Sequence, residues 1–180
     1  MKTIFGCFFT GVLLIAWPLL GQAEGVMSKI EVRSSAFREG DRIPSDFACD
    51  GANMSPPIAW SGVPSDAQSL ALIADDPDAP AGDWVHWLIY DLPASLTELP
   101  AGIPEGGILS GGGLQGRTDF GALGYGGPCP PRGMHRYFFK IYALDRVLQL
   151  KPGVTKKELF KAMQGHVLAE GQLIGTYERS

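Results

Sequence analysis

Cysteine is scarce in this chain, helical periodicity is confined to one stretch, and a basic run is missing altogether. Its 180 residues hold 15 Lys and Arg against 19 Asp and Glu, a net charge of −4 at neutral pH. Without a basic patch, nucleic acid is excluded as a partner, and so is an electrostatic grip on anionic membranes. Beyond the first twenty residues no apolar run is long enough to span a bilayer, so stable membrane insertion is not expected. Gly111-Gly112-Gly113 lacks the Lys-Ser/Thr ending of a phosphate-cradling loop. There is no Gly-x-Ser-x-Gly elbow, and no histidine pair has the spacing of a helical zinc motif. Alternating β and α units are also missing, which argues against a doubly wound sheet.

The N-terminus reads as a targeting segment. Lys2 precedes an uncharged, mostly apolar run from Ile4 to Leu20, and Gly21-Gln22-Ala23 offers small residues where a signal peptidase reads. A signal peptide of residues 1–23 is expected, with a single domain over 24–180 and a location in the periplasm or outside the cell. The rival is an uncleaved anchor, but the run is short for a span and Pro18 interrupts it. Cys7 lies before the apolar run, not at the cleavage point, so a lipoprotein is not expected. Removing 23 residues leaves 157 with a net charge of −5, enough for one domain with a proper core. Two cysteines remain. In an exported chain an even pair points to a disulfide between Cys49 and Cys129, with two separate buried thiols as the alternative.

The rest reads mostly as strands. Residues 30–37 alternate polar and apolar side chains, and 58–60 and 70–75 are short strand candidates. Residues 85–90 are apolar on both faces, so both should be buried. His135 to Leu144 is the strongest strand, with His135, Tyr137, Phe139 and Ile141 on one face. Thr155 to Glu158 is a capping box, and apolar residues from Leu159 to Leu168 extend the expected helix to Gly171, with His166 a structural residue on it. A last strand covers 173–177. Residues 102–133 hold 12 of the 24 glycines, yet Phe120, Tyr125 and the Pro-Cys-Pro-Pro run mark them as ordered loop.

Two segments carry the chemistry. Asp75-Asp76-Pro77-Asp78-Ala79-Pro80 is closely followed by Trp84-Val85-His86-Trp87, and Gly127-Pro128-Cys129-Pro130-Pro131 leads to His135 and Tyr137. Prolines fix φ and stiffen both loops, and rigid walls lose less entropy on binding. Brought together, Asp76, His86, His135 and Tyr137 would make a small stiff pocket with an acid, two imidazoles and a phenol among apolar walls. Trp84 and Trp87 are expected in its wall or in the core. A lone histidine in an apolar strand is more often a core residue; the pairing with Asp76 favours a site. Two histidines and a carboxylate are also a metal set, but the spacing is wrong, and no metal or cofactor is expected.

These segments, in this order, resemble the signature stretches of the phosphatidylethanolamine-binding protein family. Residues 76–87 match the first and 127–145 the second, while 49–57 and 165–179 resemble the exported bacterial, Raf-kinase-inhibitor-like branch. The resemblance implies a fold that is mainly β with peripheral helices: a large antiparallel sheet packed against a smaller sheet, with a C-terminal helix. It implies a pocket for phosphate-like anions or phosphorylated head groups, formed at Asp76, Pro80, His86, Gly127, Pro128, Pro130, His135 and Tyr137. It implies no cofactor. Ala81-Gly82-Asp83 replaces the Ser-Arg continuation of the eukaryotic form, which argues against kinase inhibition.

Three functions fit. The first is a ligand-binding protein, with protonated histidines offsetting the repulsion between Asp76 and an anion. The second is an acid–base hydrolase using the same groups. The third is an inhibitor or interaction protein that docks on a protein partner through residues 102–127. The sequence leaves the oligomeric state open, a homodimer included.

Overall fold

The computed structural model describes residues 28–179. The expected signal peptide and Cys7 lie outside the described residues. Among those described, the elements in chain order are β1 Ser28–Lys29, β2 Glu31–Arg33, β3 Ile58–Ser61, β4 Ser69–Asp76, β5 Trp84–Pro93, β6 Glu98–Leu99, β7 Leu114–Gln115, β8 His135–Leu144, α1 Lys156–Met163 and β9 Val167–Tyr177. Six strands form a large sheet in the order β1-β9-β8-β4-β5-β7, and β2-β3-β6 form a small one. Pairing is antiparallel throughout except for the short β1–β9 edge pair. The mainly β architecture implied by the sequence, with a large and a small sheet and a C-terminal helix, is the one observed.

The apolar character of β4 and β5 follows from their place. All eight residues of β4 are buried, because each face of the large sheet is covered. On one side the small sheet brings Val32, Ile58, Trp60 and Leu99 against Leu70, Leu72, Trp87, Phe139 and Ile141. On the other, Leu159 and Met163 of α1 pack on Ile73, Leu88, Tyr90 and Leu144. An antiparallel strand usually keeps one wet face; here the covering layers remove it, and the strands read as continuous apolar runs.

Several boundaries differ from the sequence reading; the last strand, for one, was expected over 173–177 and runs from Val167 to Tyr177, and the strand expected over 85–90 runs from Trp84 to Pro93. The capping box forms as expected, with the Thr155 hydroxyl accepting from the Glu158 N–H and the Glu158 carboxylate accepting from the Thr155 N–H. The helix, however, ends at Met163, and Val167 already pairs with Leu144. Gly165, at φ +79°, makes the turn that helical spacing had assigned to Gly171. Pairing along β8 outweighs the local periodicity: Val167 pairs with Leu144, and Leu168, at a bulge, packs partly buried against the core. Gly171 serves closeness of approach instead: a Cβ there would lie 1.9 Å from the Ile30 carbonyl oxygen. The first expected strand also stops early, at Arg33. Ser34 then turns the chain, donating to the Pro57 carbonyl at 2.6 Å. His166, expected on the helix, lies instead in the turn before β9, its ring against Asp145 at 2.9 Å.

The glycine-rich stretch is ordered around Gln115, which is 1% exposed. Its side-chain amide donates to the carbonyls of Pro104 and Gly106, each at 2.9 Å, and its oxygen accepts from the Trp87 indole at 2.8 Å. Cys49 and Cys129 form a disulfide across 80 residues of chain. It ties the loop after β2 to the segment entering β8.

Candidate functional site

β4, β5 and β8 lie side by side, and their ends meet the two proline-rich loops. Between them is a cavity of about 280 Å³ lined by Asp76, Ala79, Pro80, Ala81, Trp84, His86, Phe120, Cys129, Pro130, Pro131 and His135. A larger cleft of about 930 Å³ opens beside β1 and β9, but its charged lining, Lys29, Glu31, Glu39, Lys140 and Glu170, has both signs and none of these five is buried. The chemistry converges in the smaller cavity.

His86 reaches it through a β-bulge. The pairing of β4 with β5 steps from Ala74–Trp87 to Asp75–Val85, so His86 is an extra residue on its strand. Val85 and Leu88 face the helix side, whereas Trp87 packs between the sheets. The bulge turns His86 and Trp87 to the same side, which strict alternation would forbid. The His86 ring then meets Tyr137 at 5.1 Å and Phe120 at 5.2 Å, both edge to face.

The hydrogen bonds fix which ring nitrogens remain available. His86 Nδ1–H donates to the Gly126 carbonyl at 2.6 Å, and His135 Nδ1–H donates to Asp76 Oδ2 at 2.7 Å. A carbonyl or an ionised carboxylate can only accept, so both protons sit on Nδ1, and both Nε2 atoms are left to the cavity. The other Asp76 oxygen accepts from the Asp78 N–H at 2.8 Å. Burial pushes the His86 imidazole below its ordinary pKa, against the opposing pull of the Gly126 carbonyl and of Asp76.

Tyr137 lies behind these groups, 2% exposed. Its hydroxyl is the buried side-chain polar atom that finds no hydrogen-bond partner among the described residues. Burial, and next the Asp76 carboxylate, hold it well above the usual phenol range. Leaving such a group unpaired costs on the order of 1–3 kcal/mol, and native proteins seldom tolerate it without a reason.

Of the eight residues expected in the pocket, Asp76, Pro80, His86, Pro130 and His135 line the cavity, and Tyr137 stands against His86. Gly127 and Pro128 are not in the lining and hold the wall from behind. The Gly127 N–H donates to Asn53 Oδ1 at 2.8 Å, and the Pro128 carbonyl accepts from the Cys49 N–H at 3.1 Å. A Cβ at Gly127 would come within 2.5 Å of the Phe47 carbonyl oxygen, so the two loops pack closely there. Trp84 is wall and Trp87 is core. The sequence reading gave Phe120 no role in the site; its only signal was an aromatic residue within a glycine-rich loop.

Ion pairs brace the loop between β4 and β5. Arg136 binds Asp78 through two guanidinium nitrogens, at 2.8 and 2.7 Å. At the far end Lys156 of α1 pairs with Asp83. Lys156 also meets Asp75 at 2.6 Å, and Lys140 meets it at 2.8 Å. Asp75 and Asp76 are neighbours in a strand, so one carboxylate serves the helix side and the other the cavity. Among the described residues, no three His, Cys, Asp or Glu side chains gather as a metal cage, and no helix is long and apolar enough to cross a membrane.

Comparison with known proteins supports this fold. A family model described as phosphatidylethanolamine-binding protein matches residues 33–178. A UPF0098 protein of Methanothermobacter thermautotrophicus is 53% identical over 150 residues, covering 83% of this chain and 99% of the relative. A UPF0098 protein of Pyrococcus horikoshii is 44% identical, covering 99% of this chain and 91% of its own. Among solved structures, a protein of Chlamydia trachomatis described as a homologue of phosphatidylethanolamine-binding proteins superimposes with a TM-score of 0.78 at 41% identity, covering 84% of this chain and 99% of its own. YbcL of Escherichia coli, described as a member of the mammalian family, gives 0.76 at 32% identity with the same coverage.

Proposed function

The chain belongs to the phosphatidylethanolamine-binding protein family, and from that premise we propose that it is an exported protein that binds a small phosphate-like anion, free or as a head group, in the cavity between Asp76, His86 and His135. The observation that carries this reading is the set of ring nitrogens. Both imidazoles have Nδ1 committed, to Gly126 and to Asp76, and both offer Nε2 to one small cavity. On protonation each Nε2 becomes a charged donor, and the unpartnered Tyr137 hydroxyl supplies a neutral one.

Asp76 does not oppose the anion as strongly as its charge suggests. Both its oxygens already accept hydrogen bonds, one from the Asp78 N–H and one from His135. The protein binds without turning its ligand over: its chain has no nucleophile elbow, and the cysteine at the wall is held in a disulfide. That disulfide favours an oxidising compartment such as the periplasm.

Anion affinity therefore rises as pH falls. Burial keeps His86 neutral in the free protein below the ordinary imidazole value of about 6.5. The anion favours the protonated form, so binding takes up a proton, and the affinity climbs by up to about tenfold per pH unit for each proton coupled. Sulfate is the diagnostic ligand, because its charge is constant from pH 5 to 8 whereas that of phosphate is not. Calorimetric titration across this range should show the rise, and a His86→Ala/His135→Ala double variant should lose it. Sulfate and phosphate affinities that stay flat with pH, or that survive in the double variant, would sink the proposal.

A further inference from the structure

Resting on the anion-pocket reading, we infer that Phe120 sets the specificity of the cavity, which with Trp84 selects anions bearing a flat apolar substituent over the bare inorganic ion. The polar groups of the cavity lie on one side, at Asp76, His86 and His135. The remaining wall is apolar: Ala79, Pro80, Ala81, Pro130, Pro131 and the two aromatic rings. An inorganic anion satisfies the first set and leaves the second in contact with water. An ester of that anion uses both.

Phe120 is built into this position. It is 47% exposed, an unusual place for a phenyl ring, yet its ring packs edge-on against Trp84 at 5.6 Å and against His86 at 5.2 Å. It sits on a tight turn closed by the Gly121 N–H donating to the Thr118 carbonyl, with Gly121 at φ +85°. The turn is tied to β5 beside His86. The Asp119 carboxylate accepts from the Val85 N–H at 2.7 Å, and the Asp119 N–H donates to the Val85 carbonyl at 3.1 Å. Gly126 makes room for the ring: a Cβ there would lie 2.4 Å from its nearest carbon. A side-chain bond, a backbone bond and a glycine thus hold an aromatic ring, half in water, over the histidine that meets the anion.

Size narrows the substituent. At about 280 Å³ the cavity lies just under the range of roughly 300–1,000 Å³ that holds drug-sized ligands. It has room for an anionic head and one ring or short chain, not for the acyl chains of a lipid.

The test compares inorganic phosphate, phosphoethanolamine and phenyl phosphate at one pH, on the wild type, Phe120→Ala and Gly126→Ala, each checked for folding by thermal melting. The wild type should bind phenyl phosphate about tenfold or more tighter than the other two. The ratio should collapse toward one in Phe120→Ala. It should fall as well in Gly126→Ala, which keeps the ring but pushes it off His86, so a lost preference there cannot be assigned to missing volume. Equal wild-type affinities, or a tenfold ratio that persists in Phe120→Ala, would overturn the role of Phe120 and leave the anion pocket standing. A wild type that binds none of the three removes the anion pocket itself, and this inference with it.

Discussion

Tyr137 separates a structural account of the cavity from a functional one. A phenol that supports the fold would donate a hydrogen bond, and Tyr137→Phe would then cost about 1 kcal/mol. Its hydroxyl has no partner among the described residues, so Tyr137→Phe should keep the stability of the protein or raise it by up to about 1 kcal/mol. The same change should weaken anion binding about tenfold, since hydrogen bonds to charged groups are the strong ones. Denaturant unfolding and a binding titration on one preparation check both halves. At this scale the sequence was informative where chemistry and spacing coincide. Asp76, His86, His135 and Tyr137 stand out as polar groups beside rigid prolines, and five of the eight residues expected in the pocket line the cavity. Phe120 and Gln115 were not legible. Phe120 acts through a ring contact with a strand some thirty positions away, and Gln115 through hydrogen bonds to loops that composition alone cannot fold.

The loop between β4 and β5 is a strap with an ion pair near each end, Asp78 with Arg136 and Asp83 with Lys156. The Arg136 hydrogen bond, first among several causes, lowers the Asp78 carboxyl from 3.8 to about 2. A carboxyl with a depressed folded-state pKa contributes stability that is present above its unfolded value and lost as pH falls through the folded one. Wild type and Arg136→Ala should therefore differ in unfolding midpoint above about pH 4, and the gap should close as pH drops through about 2. A gap that persists to the lowest pH would mean that Arg136 acts through its packing on Phe138, over whose ring its guanidinium lies. The elements themselves were legible wherever periodicity matched burial: β4, β5 and β8 read correctly because both their faces or one consistent face are covered. α1 was read too long because Val167 and Leu168 satisfy helical spacing by coincidence while belonging to β9, where Val167 pairs with Leu144 and Leu168 sits at the bulge.

For the molecule as a whole, the disulfide joins what the sheets leave apart. The loop carrying Cys49 belongs to neither sheet, yet it supports the cavity wall through Asn53, Phe47 and the covalent link. Closing 80 residues of chain stabilises by about 4 kcal/mol in the chain-entropy model. A Cys49→Ser/Cys129→Ser variant should unfold at clearly lower denaturant concentration than the oxidised wild type. Exported wild type, weighed without reductant, should begin at Glu24 and be two hydrogens lighter than its reduced form. Equal unfolding midpoints would show that the loop holds without the bond. The mainly β character with one helix was legible because strands dominate and a single capping box marks a single helix, whereas the two-sheet arrangement was implied only by the family resemblance. The pairing of Cys49 with Cys129 stayed open until the loops were placed in space. The bulge at His86 has a wider meaning. Strands are read in twos, and a site that depends on one miscounted residue is written in chain length as well as in residue type. Losing His86 would close the bulge and restore alternation, with Val85 and Trp87 on opposite faces, so the strand would keep its register while the cavity lost its imidazole. Substitutions there can be compensated by a neighbour; a deletion has no neighbour to correct it.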